Sequence, residues 1–249
     1  MVVANPRVNR DVVFNLPDIP YTDTWHPVPH RMCIESVDRA TKNLGIKIQD
    51  EFYSLSKDGH QMYGAWTIGN GDTKEVGSDT LFQCIIFRNA TNKYHSFGIN
   101  GGTNAYICEN LVIFFERFVE FRRHTGGLDE NELDRVVTKG VSEIIPKLSG
   151  IRVWQNALHN VKLREVETRA LAYDAINKGI ISKQRIPQFD KLLFDEGHTY
   201  NPRELFGFHG AITETMRDLS MTGGFINKQN KLHSFIIDRF GHRLPTMAR

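Results

Sequence analysis

Ten histidines, three cysteines and several adjacent carboxylates are the groups in this 249-residue chain with catalytic or metal-binding chemistry. Their spacing argues against most such uses. His26 and His30 stand four apart, but Trp25-His26-Pro27-Val28-Pro29-His30 is not a helical sequence, so the two rings do not share a helix face. There is no H-E-x-x-H and no cysteine pair at zinc spacing. His124-Thr125 and His198-Thr199 fall one residue short of the paired His-x-Thr arrangement used to hydrolyse phosphodiesters. Adjacent residues on a strand face opposite ways. Cys108 precedes Glu109-Asn110, with nothing local to lower its pKa, and reads as a packed thiol. No G-x-S-x-G and no G-x-x-x-x-G-K-[ST] is present, and Gly69-Asn70-Gly71-Asp72 reads as a hairpin turn. Asn100-Gly101-Gly102, between two expected strands, reads as a plain turn or as a nest of free backbone N–H groups. Asp129-Glu130 and Asp195-Glu196 read as helix-end charges. No catalytic residue, no metal site and no cofactor is expected.

Basic groups interleaved with aromatics remain. Arg88, Lys93, Tyr94, His95, Phe97, Arg117, Arg122, Arg123 and His124 flank the central strands. In that pattern the cations meet phosphate while Tyr94 or Phe97 stacks on a base. Lys162, Arg164, Arg169 and Lys178 add to it from the C-terminal half. Glu116, Glu120, Glu165 and Glu167 interleave with these cations, so a solvated face is the plain alternative. The formal net charge of +2 leaves any polyanion to a local patch, since the whole-molecule field is weak.

The elements that position these groups follow from periodicity. His95–Leu128 holds the longest apolar tract and reads as the core, with a strand at Ala105–Cys108. Asn110 then caps a helix if the spacing of Leu111, Phe114, Phe115 and Phe118 governs; Phe115–Arg122 equally fits a strand. Before it, residues 1–29 carry five prolines and read as an extended arm with a short strand at Asp11–Leu16. A helix over His30–Asn43 places Met32, Cys33, Val37, Ala40 and Leu44 on one side and stops at Gly45. Strands follow at Ile46–Leu55, Gln61–Ile68, Leu81–Asn89 and Tyr94–Ile99, with turns at Lys57–His60 and Ala90–Lys93. Beyond Gly127 the pattern is helical: Leu128–Lys147, ended by Pro146, then Ser149–Lys178, Arg185–Phe194, Pro202–Leu219 and Lys228–Arg239. The expected fold is α+β, an N-terminal antiparallel meander with a flanking helix and then an all-helical half. The expected divisions are 1–29, 30–127 and 128–249. No apolar run is long enough for a membrane span. The N-terminus lacks a signal-peptide pattern, and three scattered cysteines give no disulfide framework. A cytoplasmic location is expected.

Trp25-His26-Pro27-Val28-Pro29-His30, the LSKDGHQMYGAW hairpin, Phe87-Arg88-Asn89, AYICEN and RRHTGGL occur in an order that resembles a phage and plasmid protein family of unknown function. The resemblance runs from Trp25 to the AITETMRDLS helix. It departs at Ala90 and Asn92, where the family pattern has Ser and Asp. It implies an origin in phages or mobile elements, a bacterial host cytoplasm, and no established reaction. The layout is also similar to annealing recombinases that load single-stranded DNA onto a meander in oligomeric rings. Three functions stay open: non-enzymatic single-stranded DNA binding by a homo-oligomer; an interaction protein with a host or phage partner; and an enzyme using His95, His124 or Glu109.

Overall fold

Proline and glycine set the boundaries of the first long helix. Pro29 holds φ at −57° ahead of helix α2 (His30–Asn43), and Gly45 takes φ +66° just beyond it. Gly45 N–H donates to Lys42 O and Ile46 N–H to Thr41 O, the paired bonds of a Schellman cap. Cys33, Ile34, Val37 and Ala40 are fully buried, whereas Leu44, expected on that face, is 42% exposed beyond the last turn. These coordinates come from a computed structural model that describes residues 7–69, 81–105, 110–113, 120–122, 129–216 and 224–245. The class is α+β, a meander followed by helices, as the sequence implies.

Two compact units divide the chain. The sheet unit comprises Asn5–Asn104 and Phe115–Leu148; the helical unit comprises Met1–Ala4, Ala105–Phe114 and Ser149–Arg249. From Arg7 on, the N-terminal arm is therefore part of the sheet unit. Its β1 (Arg7–Val8) pairs antiparallel with β2 (Ile48–Leu55). Asp11–Leu16, expected as a strand, instead lies largely in helix α1 (Arg10–Phe14), because the Asn9 side chain accepts Val12 N–H at 3.2 Å and caps a first turn.

In the sheet unit the order is β1-β2-β3-β4-β5, with β3 at Gln61–Ile68, β4 at Leu81–Ala90 and β5 at Phe97–Ala105. A further strand, Glu120–Arg122 (β7, since β6 lies before it at Asn110–Ile113), pairs with β5 and sets Arg122 opposite Phe97. Gly59, at φ +72°, closes the β2–β3 hairpin at the expected turn. Gly64 faces Phe87 across β3 and β4; a Cβ there would lie 2.3 Å from the Phe87 ring. The ring fills that space and meets Trp66 edge-on at 5.6 Å. From Trp66 a chain of bonds runs outward: its Nε1–H donates to Tyr53 Oη, which donates to Glu51. Arg10 then donates to both Glu51 and Asp38, fastening α1 to β2 and α2. Burial opposes the Arg10 charge, but its bonds to Asp38 and Glu51 outweigh that and raise its pKa.

Two expectations about β5 change. It begins at Phe97, so Tyr94 belongs to the β4–β5 loop. Asn100-Gly101-Gly102 lies inside the strand and forms neither a turn nor a nest. The helix reading after Asn110 also gives way for Asn110–Ile113, which is β6; residues 106–109 and 114–119 lie outside the described residues. Apolar β-branched side chains fit a buried strand as well as a helix face, so periodicity over four residues does not separate them.

The C-terminal helices are α3 (Glu130–Asn160), α4 (Glu165–Asn177), α5 (Ile186–Leu193), α6 (Leu205–Thr215) and α7 (Gly224–Phe240). Pro146 lies within α3 without ending it. The carbonyl that loses its donor is that of Ser142, on an exposed position where water can serve. The break comes later, at Val161–Arg164. There Leu163 N–H donates to Arg203 O and Leu205 N–H to Val161 O, so this segment pairs with the residues leading into α6. In the helical unit β6 lies against α6 and α7. Gly207 and Gly210 on α6 admit the Asn201 backbone and the Tyr200 ring; a Cβ at Gly207 would meet Asn201 O at 1.9 Å.

Candidate nucleic-acid interface

Three stretches far apart in sequence meet at one end of the sheet unit. His30, the first residue of α2, places Nε2 3.0 Å from Gly59 O. A carbonyl only accepts, so Nε2 carries the proton and Nδ1 is the acceptor. Asn89 Nδ2 donates to that Nδ1 at 2.9 Å and to Val28 O at 2.9 Å. The arm, the KDGH turn and the F-R-N segment are thereby tied together. Burial pushes the His30 pKa down to about 4, His60 adds to this, and the bond to Gly59 opposes it. With both ring nitrogens engaged, His30 is structural and has no free lone pair for a metal or a proton. Next to it, His60 Nδ1 lies 3.1 Å from Thr91 Oγ1. The Asp58 carboxylate accepts from Ser56 Oγ and His60 N–H, bonds that hold its pKa below the usual range. The pocket lined by Asp18, Arg31, Asp58, His60 and Thr91 has a volume of about 40 Å³, room for water and not for a substrate.

Above this network lies a rim of rings and cations. Lys93 takes φ +65° in the β4–β5 loop and sets its Nζ 5.4 Å from the Trp25 ring centroid. Its neighbour Tyr94 is 62% exposed, with its ring open to solvent. In the arm, Thr22 and Trp25 exchange backbone hydrogen bonds, and Tyr21, 68% exposed, stacks near His26 with centroids 5.2 Å apart. Asp23 is the acid within this arm segment.

Beneath Tyr94 are His95, Tyr63 and Arg88. Tyr63 and Arg88 are register partners on β3 and β4. The His95 ring meets Tyr63 edge-on at 5.7 Å and Tyr94 at 6.0 Å. Its Nδ1–H donates to Ser96 O at 3.2 Å, which leaves Nε2 as a lone-pair acceptor. Burial first, and the Arg88 charge second, push the His95 pKa down to about 4. Burial pushes Tyr63 up to about 12 against the pull of the nearby Arg88 guanidinium.

The residues expected to contact nucleic acid fare unequally. Lys93 and Tyr94 are exposed side by side. Arg88 is half-buried against Tyr63. Phe97 is fully buried, so it cannot stack on a base as expected; β5 places it in the interior of the sheet unit. Tyr63, Ala65, Cys84 and Ile86 on one face of the sheet, and Met62, Trp66, Phe87 and Asn89 on the other, are buried too. An open basic–aromatic sheet face is thus replaced by a rim at the loops. Arg122 lies in β7 opposite Phe97, and Arg117, Arg123 and His124 fall outside the described residues. Tyr21, Trp25 and Tyr63 escaped sequence reasoning; a tryptophan in a proline-rich arm was the available signal.

Three of the four cations expected in the helical unit are bonded to acids. Lys162 and His159 both bond Glu204, Arg164 bonds Glu167, and Arg169 bonds Glu165 while lying 3.7 Å over the Phe194 ring. The other cation expected there, Lys178, sits 5.8 Å over the Phe235 ring. An open depression of about 570 Å³ is walled by Glu165, Phe194, His198, Asn201 and Arg203, a mixture of both charges. In the core of this unit His209 and His233 stack 5.9 Å apart, and Trp154 meets both edge-on. Burial pushes their pKa values down to about 3 and about 4, with His233 adding to the fall at His209. Among the described residues no group of three histidine, cysteine or acidic side chains is placed to hold a metal ion, and no helix is long and apolar enough to cross a membrane. Comparison with known protein families, curated proteins and solved structures finds no match to this chain.

Proposed function

We propose that the protein binds single-stranded DNA without catalysis, through the rim around Tyr94. One observation carries this reading: Tyr94 stands 62% exposed beside Lys93, whose ammonium caps the Trp25 ring. Exposed rings beside cations suit a flexible strand whose base faces are free, since base–aromatic stacking contributes about 1–3 kcal/mol per base. A duplex hides those faces and is held by many phosphate contacts. With a net charge of +2 and paired cations in the helical unit, the chain is poorly equipped for that. Assembly into a homo-oligomer and a place in phage or mobile-element DNA metabolism belong to the same proposal and rest on the sequence resemblance.

Titration of labelled single- and double-stranded oligonucleotides at low and high salt tests it. Single strands bind more tightly, and Tyr94→Ala weakens them. Equal affinity in the variant, or no binding by the wild-type chain together with a stable complex with a host or phage protein, overturns the reading in favour of an interaction protein.

A further inference from the structure

We infer that Tyr63 and His95 form a reader for the edge of one base held against Tyr94. The inference rests on the strand-binding reading above and assigns a chemistry to its floor. Tyr63 is 1% exposed and its hydroxyl hydrogen has no acceptor; His95 Nε2 is buried without a partner. The two rings are in edge-to-face contact, and a buried polar group without its partner is costly, so the pair gains by meeting a ligand that supplies both. Their requirements are complementary. His95 Nε2 needs a donor, since Nδ1–H is committed to Ser96 O, and the Tyr63 hydroxyl has a hydrogen to give.

A phosphate at neutral pH has no hydrogen for Nε2 and fails the first requirement. The hydrogen-bonding edge of a nucleobase sets an N–H beside a carbonyl oxygen or a ring nitrogen, and meets both. The Tyr94 ring lies next to His95 on the exposed side, so its rotation admits a base to the pair. Tyr94 then supplies the stacking face, Lys93 the neighbouring phosphate contact, and Tyr63 with His95 the edge.

Tyr63→Phe removes the hydroxyl and keeps the ring. Its affinity is compared with that of the wild-type chain for an oligonucleotide and for an abasic strand of equal length, with thermal unfolding as a control for folding. The expected result is a loss of about three- to tenfold on the base-bearing strand and none on the abasic strand. His95→Phe, which removes the acceptor, behaves alike. Because the base donates to a neutral imidazole, wild-type affinity for the base-bearing strand stays level between about pH 6 and 8. Equal losses on both strands, or binding that tightens as pH falls, assign the pair to phosphate and overturn the inference. Unchanged affinity in both variants assigns the orphaned atoms to water and also overturns it, while the strand-binding reading stands. No binding by the wild-type chain removes both.

Discussion

The rim around Tyr94 and the helical unit hold their charged and aromatic groups differently. At the rim, Lys93 faces a ring while Tyr94 and Tyr21 stand in solvent, although Arg10, Arg31 and Arg39 elsewhere in the sheet unit bond carboxylates. In the helical unit, Arg164, Arg169 and Lys162 each bond a carboxylate. Rings there turn inward around Trp154, though Tyr173 is an exception at 66% exposure. A cation bonded to an acid has little net attraction for a polyanion, whereas one placed over a ring keeps its charge. The contrast teaches that a count of basic residues says less about a binding surface than their partners do.

Acid gives the largest test of this contrast. His209 and His233 are neutral when folded, with pKa values of about 3 and about 4, against about 6.5 when unfolded. The unfolded chain therefore binds more protons below pH 6.5. The contribution of each ring is complete above that value and is lost as pH falls towards the folded pKa. At about 1.4 kcal/mol per pH unit for each ring, the pair removes on the order of 5 kcal/mol by about pH 4.5. Urea unfolding followed from pH 7 downward checks this, and His209→Gln flattens the slope. His30 acts in the same direction in the sheet unit. The stacked pair adds repulsion between two nearby charges, so the helical unit yields first; the reverse order breaks the comparison.

Gly207→Ala comes next. A Cβ placed 1.9 Å from the Asn201 carbonyl oxygen meets backbone, which yields less readily than a side chain. A loss of about 3 kcal/mol is expected, read as a lower urea midpoint. Tyr94→Ala tests the opposite unit and should weaken strand binding by about 1–3 kcal/mol without moving the urea midpoint. Lys93→Ala is milder and lowers the salt slope of binding by about one. Arg164→Ala, in a fully exposed pair, should change neither stability nor affinity measurably, and a clear loss of strand binding would bring the helical unit into the interface.

Much of the fold was legible because it is punctuated locally. Pro29 and Gly45 bound α2, Gly59 turns the first hairpin, and Gly179 at φ +66° closes α4. Each acts through its own backbone conformation, whatever surrounds it. Asp11–Leu16 misled because Val12, Val13 and Phe14 favour a strand, while a cap at Asn9 starts a helix. Pro146 misled because a lost hydrogen bond at an exposed position does not end a helix. At the interface, Lys93 and Tyr94 were legible as a basic group beside an aromatic. Phe97, three residues on, was not distinguishable from them in type.

By itself, the sequence determined the class, helix α2, the strands β2, β3 and β4, the turn at Gly59 and the absence of familiar catalytic or metal-binding motifs. These depend on residues within a few positions of one another. Only the tertiary structure decided that the arm, the first hairpin turn and Asn89 share one hydrogen-bonded network, and that Tyr94 is exposed while Phe97 is buried. Exposure and partnership belong to the packed chain. Two aromatic residues three apart have the same hydrophobicity and opposite fates, according to where the strand begins.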